Sequence, residues 1–427
     1  MLKSPRQRIS AATLLALTLQ GLPVSIAWAE DIDAPLIVDI VFEGNEKTRD
    51  MVLRREVALQ LGDSFDPERA EAARQQIQNL GLFRSVALHT EPQDGGVRLV
   101  YVVDEKWFWQ VYPRLSANSD GQNSVGVEGR VSNIWGLNHT LRLLARSRDT
   151  REQERGRDLS VRGVYQAPNV FGDGDGLRIA AAHNVIPYEA PAPYDETVDE
   201  IEVLAYRTYG LPNRPSQGWT VGFGPIWRQQ QVSDEAITRS FGASLGAVAE
   251  MAYKDGRDLI YSNDGTHFSA RWEVADQAVL SDYSYSVLRI DWGQARMIGT
   301  RSHQQLSYGF GLGVGNHALD HRALFSLGGS EGLKGYERKA FEGNSYYLGY
   351  LEFMRPLIWN SLRGTIGVEI GNAAWETGEL FDTPSANLNV GLRLRPRRLV
   401  NFELELGFAI PINGDDPRFY GGKVDRP

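Results

Sequence analysis

Leu306-Ser307-Tyr308-Gly309-Phe310-Gly311-Leu312-Gly313-Val314 has a large apolar or aromatic residue at every second position and a small one between. Successive side chains of a strand point to opposite faces, so this stretch gives one bulky apolar face and one nearly bare face. Two later stretches share the rhythm with charges on the second face. Leu388, Val390, Leu392 and Leu394 alternate with Asn389, Gly391, Arg393 and Arg395, and Phe402, Leu404, Leu406, Phe408 and Ile410 alternate with Glu403, Glu405, Gly407 and Ala409. Carboxylates and guanidiniums cannot lie in hydrocarbon, whereas the opposite face can. A closed barrel with a polar lumen and lipid outside satisfies both faces and leaves no unpaired edge in the membrane.

The same reading extends from about Trp107 to the end of the chain. Segments between turn signals number about sixteen, an even count suited to bacterial barrels. Long polar connections, Ser147 to Asp158, Pro187 to Asp199, Gln230 to Arg239 and Trp375 to Ser385, are expected outside the cell. Asn133 to Asn138, Leu211 to Gln217 and Arg395 to Arg398 are expected at the periplasmic end, with Lys254 to Gly265 as a long turn there. Gly 44, Tyr 17, Phe 16 and Trp 10 suit short strands with interfacial aromatics. A mean hydropathy of -0.34 fits a wall that turns only alternate residues to lipid.

At the N-terminus, Lys3, Arg6 and Arg8 precede a mostly apolar stretch from Ile9 to Ile26, and Ala27-Trp28-Ala29 supplies small residues for cleavage. Residues 1–29 are therefore expected to be a signal peptide. With no cysteine, the exported chain has no disulfide framework. The net charge of -9 disfavours nucleic acid as a partner.

Residues 34–106 read as strand, helix, helix, strand, strand. Leu36 to Phe42 is β-branched and ends at Gly44-Asn45, Thr48 is placed to cap a first helix, and Asp66-Pro67 starts a second. Ala70, Ala73, Ile77 and Leu80 recur at helical spacing up to Gly81. Phe83 to Thr90 and Val97 to Val103 form a hairpin around Asp94-Gly95-Gly96. The ordered pattern Val41-Phe42-Glu43-Gly44-Asn45, Gly62-Asp63-Ser64-Phe65-Asp66 and Asn79-Leu80-Gly81-Leu82-Phe83-Arg84-Ser85-Val86 resembles a POTRA domain. A POTRA would offer an edge strand for an extended polypeptide. The expected architecture is thus a membrane β-barrel of about 16 antiparallel strands, residues 107–427, after a small α+β POTRA domain.

One connection narrows the family. Leu327-Gly328-Gly329-Ser330-Glu331-Gly332-Leu333-Lys334-Gly335-Tyr336 falls between the eleventh and twelfth expected strands. It resembles the signature loop of the BamA/TamA superfamily of outer-membrane assembly factors, which folds back into the lumen. There the central triplet is arginine, glycine, aromatic; here it is Lys334-Gly335-Tyr336. Arginine forks onto two acceptors and lysine does not. Period-two counting turns Glu352 and Glu369 inward, and the resemblance implies that they hold the loop's basic residue. It also implies a weak seam where the first and last strands meet. The last strand, about Arg418 to Val424, carries Phe419, Gly421 and Gly422. Family members carry several POTRA domains, and this chain has room for one.

Other chemistry finds little support. Gly242-Ala243-Ser244-Leu245-Gly246 has hydrolase spacing but lies in an expected strand rather than at a strand–turn–helix elbow. Gly172-Asp173-Gly174-Asp175-Gly176 lacks the full ligand spacing of a calcium loop. The histidines form no metal-ligand pattern and no phosphate-binding loop is present, so neither cofactor nor nucleotide is expected. The resemblance implies a bacterial outer-membrane assembly factor with its POTRA in the periplasm, no enzymatic activity, and partners that are lipid and unfolded outer-membrane or secreted polypeptides. A dedicated two-partner secretion pore and a passive or structural barrel are the alternatives.

Overall fold

The computed structural model describes residues 34–118, 123–149, 157–188, 194–233, 240–300, 302–317, 324–329, 332–396, 399, 402–413 and 416–424. The expected signal peptide lies outside them.

The N-terminal domain contains β1 (Ile37–Glu43), α1 (Asp50–Glu56), α2 (Pro67–Asn79), β2 (Phe83–Gln93) and β3 (Gly96–Glu105). The sheet order is β1-β3-β2, with β1 parallel and β2 antiparallel to β3. Asp66 caps α2, its Oδ1 accepting from the backbone N–H groups of Glu68 at 2.9 Å and Arg69 at 3.3 Å. Thr48 does not cap α1. Its hydroxyl donates to Glu105 at 2.6 Å, because that carboxylate also gathers the backbone N–H groups of Lys47 and Thr48. Ile37, Leu53, Ile77, Phe83, Leu99 and Tyr101 are fully buried in one core. At about 1.5–3 kcal/mol for each large apolar side chain, such a core supports independent folding. A fragment of residues 30–106 should therefore give folded α/β circular dichroism and a cooperative melt. A random-coil spectrum would show that the core needs the barrel.

The barrel strands begin with β4 (Trp109–Asn118), β5 (Ser124–Ile134), β6 (His139–Asp149), β7 (Arg157–Gly172) and β8 (Asp175–Tyr188). Next come β9 (Tyr194–Leu211), β10 (Arg214–Ser233), β11 (Ser240–Asp258), β12 (Asn263–Ala275), β13 (Tyr285–Met297) and β14 (Gln305–His317). Two short strands, β15 (Phe325–Leu327) and β16 (Phe341–Gly343), pair with each other outside the barrel wall. The wall resumes with β17 (Ser345–Pro356), β18 (Leu362–Ala374), β19 (Ser385–Leu394), β20 (Leu404–Pro411) and β21 (Arg418–Lys423). Among the described residues sixteen of these strands close into an antiparallel barrel, and β21 returns to β4.

The alternation sorts as its chemistry requires. Phe310, Leu312 and Val314 are exposed on the outer wall, as are Ile366, Val368, Ile370, Val390, Leu392, Leu406 and Phe408. The small residues of the opening stretch serve the interior: a Cβ on Gly313 would lie 2.4 Å from the Tyr346 ring and 2.6 Å from Phe325. Lumen charges pair along and across neighbouring strands, which offsets the cost of their burial. Arg178 meets Glu202 at 3.1 Å, Arg271 meets Glu273 at 2.9 Å, and Arg228 meets Glu200 at 2.7 Å.

Several expected loops are strand instead. Lys254 pairs with His267 and the ladder runs on to Asp258 opposite Asn263, so the long turn shrinks to residues 259–262. β9 starts at Tyr194 and β10 continues to Ser233. Beyond the lipid, outward residues need not be apolar, so the alternation fades while the ladder continues. Strand length peaks at 20 residues in β10 and falls to 6 in β21.

Gly242 to Gly246 lies inside β11 with Ser244 opposite Arg228, which gives it no nucleophile elbow. Asp173 and Gly174 make the tight turn between β7 and β8, where Asn169 Oδ1 accepts from the Gly174 N–H at 2.7 Å.

Candidate functional site

The connection between β14 and β17 turns into the barrel. Its β15–β16 hairpin is closed by backbone turns: Gly328 N–H donates to Gly332 O at 2.8 Å and Gly329 N–H to Tyr336 O at 3.0 Å. Gly328 has φ +120°, and a Cβ there would fall 1.8 Å from the Glu337 carbonyl oxygen. Gly328→Val should therefore prevent the loop from closing. Protease nicking between 332 and 343 in otherwise folded barrels would register it, and parent-like resistance would refute it. Leu333 has no exposed surface and packs with Leu327, Tyr336, Phe341 and Leu348. Gly335 lets the chain approach β19, since its Cβ would lie 2.8 Å from that of Asn387. Tyr336 donates its hydroxyl to Ala386 O at 3.0 Å. Ser330 lies outside the described residues.

Lys334 is held at both ends. Its backbone N–H donates to Glu369 Oε2 at 3.0 Å, and its ammonium lies 3.1 Å from Glu405 Oε1 and 4.7 Å from the centre of the Tyr420 ring. Glu369 also accepts from Asn387 Nδ2 at 3.2 Å. Glu352 is not a direct partner of Lys334. Arg393 takes it at 2.8 Å and reaches Glu405 at 3.2 Å with the same nitrogen. With the Lys334 backbone fixed on β18, its ammonium faces β20, and the guanidinium fork fills the space toward β17.

The seam also differs from the rest of the wall. Among the described residues β21 pairs with β4 through Tyr420 opposite Asn118 and Gly421 opposite Ala117. The β10–β11 ladder runs through fourteen residue pairs. Phe419 faces Phe408 on β20, ring centres 5.6 Å apart. Gly422 pairs with Glu405, yet its Cβ would lie 3.4 Å from that of Ser116 on β4. On the outer face of β4, Trp109, Val111 and Leu115 are 72%, 79% and 63% exposed.

A family model described as POTRA, surface antigen variable number repeat, matches residues 35–106. BamA from Haemophilus ducreyi lacking POTRA domains 1–3 superposes with a TM-score of 0.55 at 15% identity, over 91% of this chain and 84% of that one. CdiB from Acinetobacter baumannii gives 0.61 at 13% identity, over 91% and 74%, and CdiB from Escherichia coli 0.59 at 9%, over 92% and 77%. The chain has the BamA-type fold with a single POTRA domain. No curated protein matches it in sequence.

The POTRA docks its helices onto four turns at one end of the barrel. Arg49 N–H donates to Gly136 O at 3.0 Å, and Asn133 Nδ2 donates to the Thr48 hydroxyl at 2.7 Å. Arg55 pairs with Asp173 at 2.6 Å, and Ser216 donates its hydroxyl to Glu56. Asn79 Oδ1 accepts from the Asp258 N–H at 2.9 Å. Glu56 is only 2% exposed, and burial pushes its carboxyl up to about 7 against the lowering effects of Ser216 and Arg55. The sequence put several of these turns at the POTRA end, but not which residues meet, because each partner lies far along the chain. The inward phase of Arg393 and Glu405 was legible, but not their place in the loop's anchor.

Proposed function

We propose that the chain is an outer-membrane assembly factor that passes unfolded polypeptides from its POTRA to the seam between β4 and β21. The POTRA lies in the periplasm in this reading. The observation that carries it is the seam itself: two ladder pairs among the described residues, a six-residue last strand and an apolar outer edge on β4. Such an edge can accept a client strand, since a strand in lipid must satisfy its backbone by pairing. At the POTRA, the outer edge of β1 has no strand neighbour among the described residues. A groove of about 380 Å³ between that edge and α1 is lined by Ile40, Phe42, Met51 and Arg54. Main-chain pairing there would give affinity with little demand on client sequence. No bond chemistry or nucleotide is needed, because folding into lipid supplies the free energy.

The test staples the seam. The chain has no native cysteine, and the close approach of positions 116 and 422 suits a disulfide. Oxidised Ser116→Cys/Gly422→Cys should stop other barrels from assembling, and a reductant should restore them. Unimpaired assembly with the seam closed would defeat the reading. Loss of one secreted polypeptide, with other barrels intact, would favour a dedicated export pore.

A further inference from the structure

The lumen loop touches both sides of the seam. On the side of the last strands it is anchored by Glu369, Ala386 and Glu405, and it also grips β21 itself. Lys334 stands over Tyr420, and Glu337 meets Arg418 at 3.0 Å. The next residue, Arg338, crosses to the first strands, where it lies 3.1 Å from Asp158 on β7. The two side chains are 14% and 16% exposed, so this is an enclosed pair rather than a solvated surface contact.

A second crossing lies nearer the POTRA end. Lys423 of β21 donates to the Tyr112 hydroxyl on β4 at 2.7 Å and to both Glu128 oxygens on β5 at 3.0 Å. Glu128 has no exposed surface, and Arg142 reaches it at 2.8 Å and Arg114 at 3.4 Å. The described ladder pairs lie between these crossings. Arg418, near the strap, and Lys423, in the clasp, are the first and last residues of β21.

We propose that the loop is a strap closing the seam from inside: it releases β21 from β4 only when Arg338 lets go of Asp158, and Lys423–Glu128 is the clasp at the other end of the strand. The strap would close the seam whether its opening passes strands into lipid or serves export.

Amide hydrogen exchange on the full chain in phospholipid vesicles tests it. Arg338→Ala should speed exchange in β4 and β21 at least tenfold and leave β10 and β11 unchanged. Lys423→Met should act on the same two strands. Oxidised Ser116→Cys/Gly422→Cys should abolish the Arg338→Ala effect, because the seam is then held covalently. Arg338→Asp combined with Asp158→Arg should regain protection that neither single change has, which separates loss of the pair from misfolding. Faster exchange confined to residues 332–343, with β4 and β21 at parent rates, would overturn the proposal. So would a charge-swapped protein as exposed at the seam as its single-change parents.

Discussion

Lys334→Glu should strip the barrel of much of its heat resistance. The lysine ammonium lies 3.1 Å from Glu405, the two side chains are 16% and 17% exposed, and its backbone N–H is bound to Glu369. Breaking one side of an enclosed pair costs on the order of 3–5 kcal/mol, and replacing the cation by a third carboxylate adds repulsion. Lys334→Ala should show the simple loss. Lys334→Arg should be tolerated, because Glu405 and Tyr420 can receive a guanidinium as well as an ammonium. Glu405→Lys should partly rescue Lys334→Glu, and Glu352→Lys should not, since Glu352 belongs to Arg393. Band mobility of unboiled samples against temperature, and protease cutting within 332–343, would measure this. Parent-like behaviour of Lys334→Glu in both would reduce the lysine to a passive lumen charge.

POTRA docking should weaken as the pH rises through the range from about 4.5 to about 7. Glu56 is buried in the docked state, which raises its carboxyl to about 7 from the ordinary 4.5. The docked state therefore binds the proton more tightly than the undocked one. The contribution is fully present below the ordinary value and lost as pH climbs through the raised one. The difference corresponds to roughly 3 kcal/mol at neutral pH and above. Glu56→Gln should keep a partner for Ser216 and flatten the profile, leaving docking strong at pH 8. Spin labels on single cysteines in the POTRA and at a barrel turn would report the distance distribution. A distribution independent of pH in the parent would contradict the assignment.

The domain order and the wall were legible because each rests on short-range physics. Asp66-Pro67 announces a helix start, and the alternation from Leu306 to Val314 announces a strand with one lipid face. Period two also turned Glu352 and Glu369 inward. It could not say which cation each would meet, because parity fixes a side chain's face but neither its height on the wall nor its distance across the lumen. Glu352 and Glu405 lie inward on strands separated by β18 and β19, and Arg393 settles which of them is left for Lys334. Docking was invisible for a related reason. Glu56 and Ser216 are 160 positions apart, and neither looks unusual among its neighbours.

The uneven strand lengths give the cylinder a mechanical grain. Among the described residues fifteen pairs join β9 to β10 and fourteen join β10 to β11, whereas two join β21 to β4. A hoop loaded from within yields at its thinnest cross-section, and its deepest section keeps its curvature. The deep wall is therefore a spine about which the shallow strands flex, so bending concentrates in β19, β20 and β21 on one side and β4 and β5 on the other. Global unfolding and local gaping then draw on different parts of one sheet. The spine governs how hot the barrel must become before it melts, and the shallow rim governs how often it parts while still folded.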